Sequence, residues 1–243
     1  MDALETPTFE TDAAKEIYQY VERHGTAARH RVREQVTLSP ERFQEELSRL
    51  TERGYLEDQG GTLRVAIDVG SVERHSTESM AYAIRPARQE DFEPLVELIR
   101  DVTASADYVV AESVAEQLLY EDTVTRHNTV SSRVFFLAVT EGELAGWTHL
   151  DLPQIEKLQN TARLTVGVQE AYRGRGIGST LLARATGWAR ANGYHKVYNS
   201  VPAVNDEAMA FLEAHDWFTE GIRRDHYTLD DELVDEVMMA KEL

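Results

Sequence analysis

Residues 164–191 constrain the fold of this chain more than any other stretch. Leu-Thr-Val-Gly-Val (164–168) is a short β-prone run. After a polar turn, Arg173-Gly174-Arg175-Gly176-Ile177-Gly178 leads into a segment whose apolar residues Ile177, Leu181, Leu182, Ala185, Trp188 and Ala189 recur at helical spacing. Strand, glycine loop and amphipathic helix in that order form a device for holding phosphate. Glycines carry no Cβ, so backbone N–H groups can approach an anion. The helix N-terminus adds unpaired N–H groups and a partial positive charge, and Arg173 and Arg175 add full charges.

Three phosphate-loop readings compete here. A kinase-type loop ends in Gly-Lys-Ser/Thr, and this stretch has no Lys. A dinucleotide loop needs G-x-G-x-x-G, and Gly174, Gly176 and Gly178 lack the third spacing. What remains is R-x-x-G-x-G, from Arg173 to Gly178. The plain alternative is a tight strand-to-helix turn without a ligand; the strand before it and the helix after it argue against that.

Composition narrows the class. The chain has 243 residues, room for one large or two small domains, and 42% hydrophobic residues, enough for a packed core. It has no Cys, which excludes disulfides and thiolate sites, and no metal is expected. No run of 18 apolar residues exists, so no membrane partner is expected. The acidic start lacks the apolar core of a secretory signal, and a cytoplasmic protein is the expectation. The net charge of −18 is spread over both halves, and the only Lys are Lys15, Lys157, Lys196 and Lys241. Such a surface serves either a cationic substrate or solvation. Dispersed acid with few Lys resembles proteins of salt-accumulating microbes, of haloarchaeal type, and that reading is preferred.

Residues 1–68 carry their own pattern. A first helix is expected over 13–24, with Ala14, Ile17 and Val21 inward and Gly25 as its stop. A short helix is expected over 27–35. Ser39-Pro40 then starts a third helix, with Phe43, Leu47 and Leu50 on one face and Gly54 at its end. Tyr55-Leu56, the Gly60-Gly61 turn and residues 63–67 read as a hairpin. Three helices and a hairpin resemble a winged helix-turn-helix, whose third helix would enter a DNA major groove. That helix presents Glu41, Glu45 and Glu52 beside Arg42 and Arg49, so DNA is not favoured as a partner. The other reading is a module for protein contact or dimerisation. Residues 69–80 are polar and aperiodic and read as a linker.

Residues 81–243 read as strand, helices, three strands, helix, strand, helix, two strands. Ile84-Arg85-Pro86-Ala87, Gly142-Glu143-Leu144-Ala145-Gly146-Trp147, the Arg173–Gly178 loop and the run from Asn205 to Leu212 together resemble the GNAT superfamily of N-acyltransferases. The resemblance implies an α/β (α+β) GNAT fold, with a mixed central sheet split between its fourth strand (162–168) and fifth strand (195–201). It implies acetyl-CoA as co-substrate, lying in that split. Val166 and Val168 would pair with the pantetheine amides, and Arg173, Gly174, Arg175, Gly176, Ile177, Gly178 and Ser179 would hold the pyrophosphate. Asn205 would contact the pantetheine arm. The acceptor would be a small-molecule or protein amine attacking the thioester directly.

The acid and base are less defined. Many family members carry a proton-donating Tyr where this chain has Leu212. Tyr227, His226 and Tyr198 are substitutes. Glu170, after the fourth strand, is the first choice for the base; His149 and Asp151, at the end of the third, follow. A runner-up function is an acyl-CoA-sensing, DNA-binding regulator with a GNAT-like effector domain. A structural protein with a degenerate site is a third, and the intact loop argues against it. The segment 102–129 and the loop 152–160 would shape the acceptor pocket.

Overall fold

In the computed structural model, residues 6–77, 80–104 and 108–243 are described. The first unit begins with α1 (Asp12–His24), capped by Thr11, whose Oγ1 accepts from the Ala14 N–H at 3.0 Å. Gly25, at φ = 65°, ends it. Then come β1 (Thr26–Ala28), α2 (Arg29–Gln35), α3 (Pro40–Glu52), β2 (Leu56–Gln59) and β3 (Thr62–Val65). The expected helix over 27–35 thus begins two residues later. Its first residues form β1 instead, which pairs with β3 and gives a three-stranded antiparallel sheet in the order β1-β3-β2. Ile17, Tyr18, Val21, Val32, Phe43, Leu47, Leu50, Leu56 and Leu63 close its core.

The second unit is a nine-stranded mixed sheet in the order β11-β12-β10-β9-β8-β7-β5-β4, with β6 pairing β7 at one end. Its elements are β4 (Glu73–Ser76), β5 (Ala81–Pro86), α4 (Phe92–Thr103), α5 (Val109–Glu121), β6 (Arg126–His127), β7 (Ser131–Thr140), β8 (Glu143–Pro153) and β9 (Thr161–Val168). They are followed by α6 (Ile177–Ala191), β10 (Lys196–Pro202), α7 (Asp206–Glu213), β11 (Phe218–Leu229) and β12 (Glu232–Glu242). One sheet face packs on α6 through Phe136, Leu150, Leu164, Leu181, Leu182 and Ala185. The other packs on α4 and α5 through Leu95, Ile99, Val114, Leu118, Phe135, Leu137 and Trp147.

One expectation is corrected. Residues 73–76, read as linker, form β4 and lie antiparallel against β5, with His75 opposite Tyr82 and stacked on it at 5.3 Å. Glu-Arg-His-Ser has no apolar alternation, so its strand character comes from the bare edge of β5 and not from its own sequence. Of the helices expected after the first strand, the second is α5. It starts at Val109 and ends at Glu121, where Asp122 takes a left-handed conformation.

The two units touch on both faces of the sheet. On the α5 side, Glu22 of α1 accepts from Asn128 Nδ2 at 3.0 Å and pairs with Arg126 at 3.1 Å. On the α6 side, Trp188 Nε1 donates to the Asp68 carbonyl at 2.8 Å and Arg184 Nη2 to that of Val69 at 2.6 Å.

Candidate active site

β9 and β10 run parallel and pair only at their bases, Thr161–Arg163 against Lys196–Tyr198. Beyond Arg163 they splay apart. The edge of β9 from Leu164 to Val168 then has no strand partner on the β10 side, although β8 pairs its other edge as far as Val168. The opening is a cleft of about 400 Å³. Strand, loop and helix residues converge on it, with Thr165–Val168 on one wall and Asn199–Pro202 on the other.

The loop closes one end. Gly176 stands at φ = 83° as the residue before α6, and Gly174 at φ = 70°. Both are left-handed conformations that disfavour side chains. A Cβ at either would meet no protein atom within 4 Å, so open space lies beside them. α6 has no side-chain cap, and its first-turn N–H groups lack intrahelical partners. The loop therefore ends in unsatisfied donors at the positive end of a helix dipole. Gly178 serves packing: a Cβ there would stand 3.3 Å from the ring of Phe211 on α7.

Most of the sequence-derived cofactor residues converge. Val166, Val168, Arg173, Gly174, Gly176, Ile177, Gly178, Ser179 and Asn205 all line the cleft. Arg173 donates from Nε to the Val168 carbonyl at 3.1 Å, and its Nη1 lies 3.7 Å from Glu207. Asn205 caps α7, its Oδ1 accepting from the Ala208 N–H at 3.0 Å. Ser179 Oγ lies 2.8 Å from His215 Nε2, and this ties α6 to α7. Arg175 is not brought in: it is exposed, with its guanidinium 5.9 Å from the Tyr172 ring.

The candidate acid and base residues lie outside the lining. Glu170 opens a short 3₁₀ turn and faces solvent. His149 is fully buried and stacks on Phe135 at 4.7 Å. Burial, reinforced by the charges of Arg133 and Arg163, holds its imidazole well below the ordinary value. It is neutral at pH 7, with little affinity for a proton. Asp151 is paired to Arg163 at 2.9 Å. Tyr227 donates to Glu236 Oε1 at 3.1 Å; burial and the Glu236 carboxylate push its hydroxyl up to about 12. His226 lies 3.6 Å from the same carboxylate. Burial raises the pKa of Tyr198, which lies beside the Arg163–Asp151 pair. Leu212 is buried against the cleft.

Sequence reasoning missed Ser200, which lines the cleft and hydrogen-bonds the buried Glu236. Burial works to raise the Glu236 pKa, but bonds from Ser200, Arg223 and Tyr227 outweigh it, and the carboxyl is held below its usual range. No local pattern marks a lone Ser on one strand and a lone Glu on another as neighbours.

A family model described as the acetyltransferase (GNAT) family matches residues 78–217. The chain belongs to the acetyltransferase (GNAT) family. Membership makes it an N-acetyltransferase, and the glycine loop, the splayed strands and α7 all lie within the matched span. No curated protein matches the chain. Solved structures share the fold. An acetyltransferase of the GNAT family from Streptococcus pneumoniae is 21% identical with a TM-score of 0.56, and the match covers 67% of this chain and 99% of that one. A GCN5-related N-acetyltransferase from Kribbella flavida is 22% identical at a TM-score of 0.55, over 67% of this chain and 98% of that one. A Salmonella typhimurium protein solved with its cofactor acetyl-CoA is 17% identical at 0.53, over 67% of this chain and 94% of that one.

Proposed function

We propose that this chain moves the acetyl group of acetyl-CoA to an amine by direct attack within a ternary complex. The observation that carries the reading is the uncapped start of α6, with its positive-φ glycines, facing the split between β9 and β10. The N–H groups of the first turn and the Arg173 guanidinium would hold the pyrophosphate. The free edge of β9 offers main-chain groups to an extended amide-bearing arm, as an edge strand does to any extended chain. The amine nitrogen bonds to the thioester carbonyl carbon, the C–S bond breaks, and the proton shed by nitrogen ends on the leaving sulfur. Juxtaposition in the cleft supplies much of the rate.

Among the described lining residues the only carboxylate is Glu207, at the rim beside Arg173. The amine is therefore read as entering neutral or as losing its proton to water. The test is calorimetry of the full chain with acetyl-CoA, followed by thiol release in the presence of amines. Absence of heat at millimolar acetyl-CoA overturns the reading.

The first unit is read as a winged helix on the strength of its element order and its β1-β3-β2 sheet. DNA is not favoured as its partner. On α3, Arg49 is engaged by Glu45 at 2.7 Å and by Glu46 at 3.5 Å, which leaves Glu41 and Glu52 beside the exposed Arg42 to face a phosphate backbone. The dispersed negative charge is read as salt adaptation.

A further inference from the structure

Behind the cleft wall formed by Thr165 and Gly167, three polar side chains lack a hydrogen-bond partner among the described residues. They are Trp147, at Nε1, His149, at both ring nitrogens, and Thr165, at Oγ1. Register puts them together: Trp147 lies opposite Gly167 and His149 opposite Thr165 across the β8–β9 pair. Opposite residues of an antiparallel pair point to one side, here the side covered by α4 and α5. All three are buried, with exposures of 0% for Trp147 and His149 and 4% for Thr165. A stranded buried donor or acceptor costs about 1–3 kcal/mol. Three together beside a cleft mark a place where a ligand completes the bonding.

Their access to the cleft differs. Thr165 and Gly167 line it directly. A Cβ on Gly167 would stand 2.8 Å from Trp147 Nε1, so the bare glycine seats the indole against β9, and Trp147 itself does not line the cleft. His149 does not line it. It stands opposite Thr165 across the β8–β9 pair, and neither of its ring nitrogens bonds that hydroxyl.

The rest of this wall decides the kind of ligand. Val102, Tyr108, Val109, Val110 and Ala111 make it apolar. Arg133 and Arg163 influence His149, but each is already paired, with Glu121 at 2.6 Å and Asp151 at 2.9 Å. Among the described residues, the charged lining side chains are Arg173 and Glu207, at the loop end. The described residues of this side therefore offer a hydrogen bond without a countercharge.

We infer that the acceptor is an apolar primary amine carrying one neutral hydrogen-bonding group, a hydroxyl or an amide, seated on Thr165 Oγ1. The inference rests on the acetyl-CoA reading above and specifies its second substrate. A second ammonium, as in a polyamine, or a free carboxylate, as in an amino acid, meets no opposite charge among the described residues of this wall, and burying an unpaired charge is costly.

The experiment uses the full chain, acetyl-CoA and thiol release with tyramine, 2-amino-1-phenylethanol, phenethylamine, spermidine and leucine. Calorimetry with acetyl-CoA runs beside it. One or both hydroxyl-bearing amines should exceed phenethylamine in kcat/KM by about tenfold or more, because a site built for a hydroxyl discriminates against its absence. Thr165→Val should bring that ratio toward one, with folding checked by melting. Spermidine or leucine as the best acceptor overturns the inference, and so does a ratio that survives Thr165→Val. Heat with acetyl-CoA but no turnover of any amine overturns this inference alone, whereas absence of that heat overturns the acetyl-CoA reading beneath it.

Discussion

Tyr18 donates its phenol O–H to the main-chain carbonyl of His127 at 2.6 Å and so binds α1 of the first unit to β6 of the second. Burial first, then the nearby Glu22, pushes the hydroxyl pKa far above its ordinary value, so it remains a donor at every accessible pH. Tyr18→Phe keeps the ring and removes this buried hydrogen bond, at a cost of about 1 kcal/mol. With Glu22, Arg126 and Asn128 bonded at the same seam, the two units should melt together. Calorimetry of the variant is expected to show one transition lowered by several degrees. An early separate transition would mean that the seam does not couple them.

Gly176 gives a way to separate folding from binding. A side chain there meets no protein atom within 4 Å, so the folded chain loses only the strain of φ = 83°, about 1–2 kcal/mol. The same side chain would occupy the space beside the free N–H groups of α6. Gly176→Val should therefore melt within several degrees of the parent while acetyl-CoA affinity falls about 100-fold or more. Normal affinity in a folded variant would move the phosphate site elsewhere.

Glu170 follows β9 directly in sequence yet turns to solvent outside the cleft. Glu170→Gln is expected to hold turnover within about threefold, whereas loss of a general base costs 10²-fold or more. Steady-state rates at saturating acetyl-CoA decide this; a 10²-fold fall would restore Glu170 as a base working through water.

The net charge of −18 bears on stability. Dispersed carboxylates repel one another most at low ionic strength, and salt screens that repulsion. The melting temperature should rise between about 0.1 M and 2 M KCl. A flat or falling curve would count against salt adaptation.

Legibility in the sequence followed how local each cause was. α6 was readable to its ends because a glycine loop starts it, an apolar stripe defines its face and Asn192-Gly193 stops it. The turn of the glycine loop was readable for the same reason: left-handed backbone at Gly174 and Gly176 demands glycine, and glycine shows in a sequence. β4 was not readable, since Glu-Arg-His-Ser becomes a strand only because β5 offers an edge. The surroundings of His149 were equally hidden. Only the tertiary packing of Phe135, Arg133 and Arg163 around it decides that a histidine expected to be a base is dry and neutral. Arg175 and Glu170 were adjacent to the right elements but on their outer sides, and chain proximity does not specify direction.

The strand β4 and the hold of Arg184 and Trp188 on the chain at Asp68 and Val69 bear on where this protein can be divided. The family resemblance begins at residue 78, and a cut there looks natural. It would strip β4 from the sheet, lay bare the edge of β5 beside Tyr82, and leave Trp188 Nε1 without its acceptor. A fragment that begins near residue 67 keeps all three but gives up the Tyr18 and Glu22 bonds to the β6 region, so the cut that costs the sheet least lies at the end of β3, about a dozen residues ahead of where the family pattern starts.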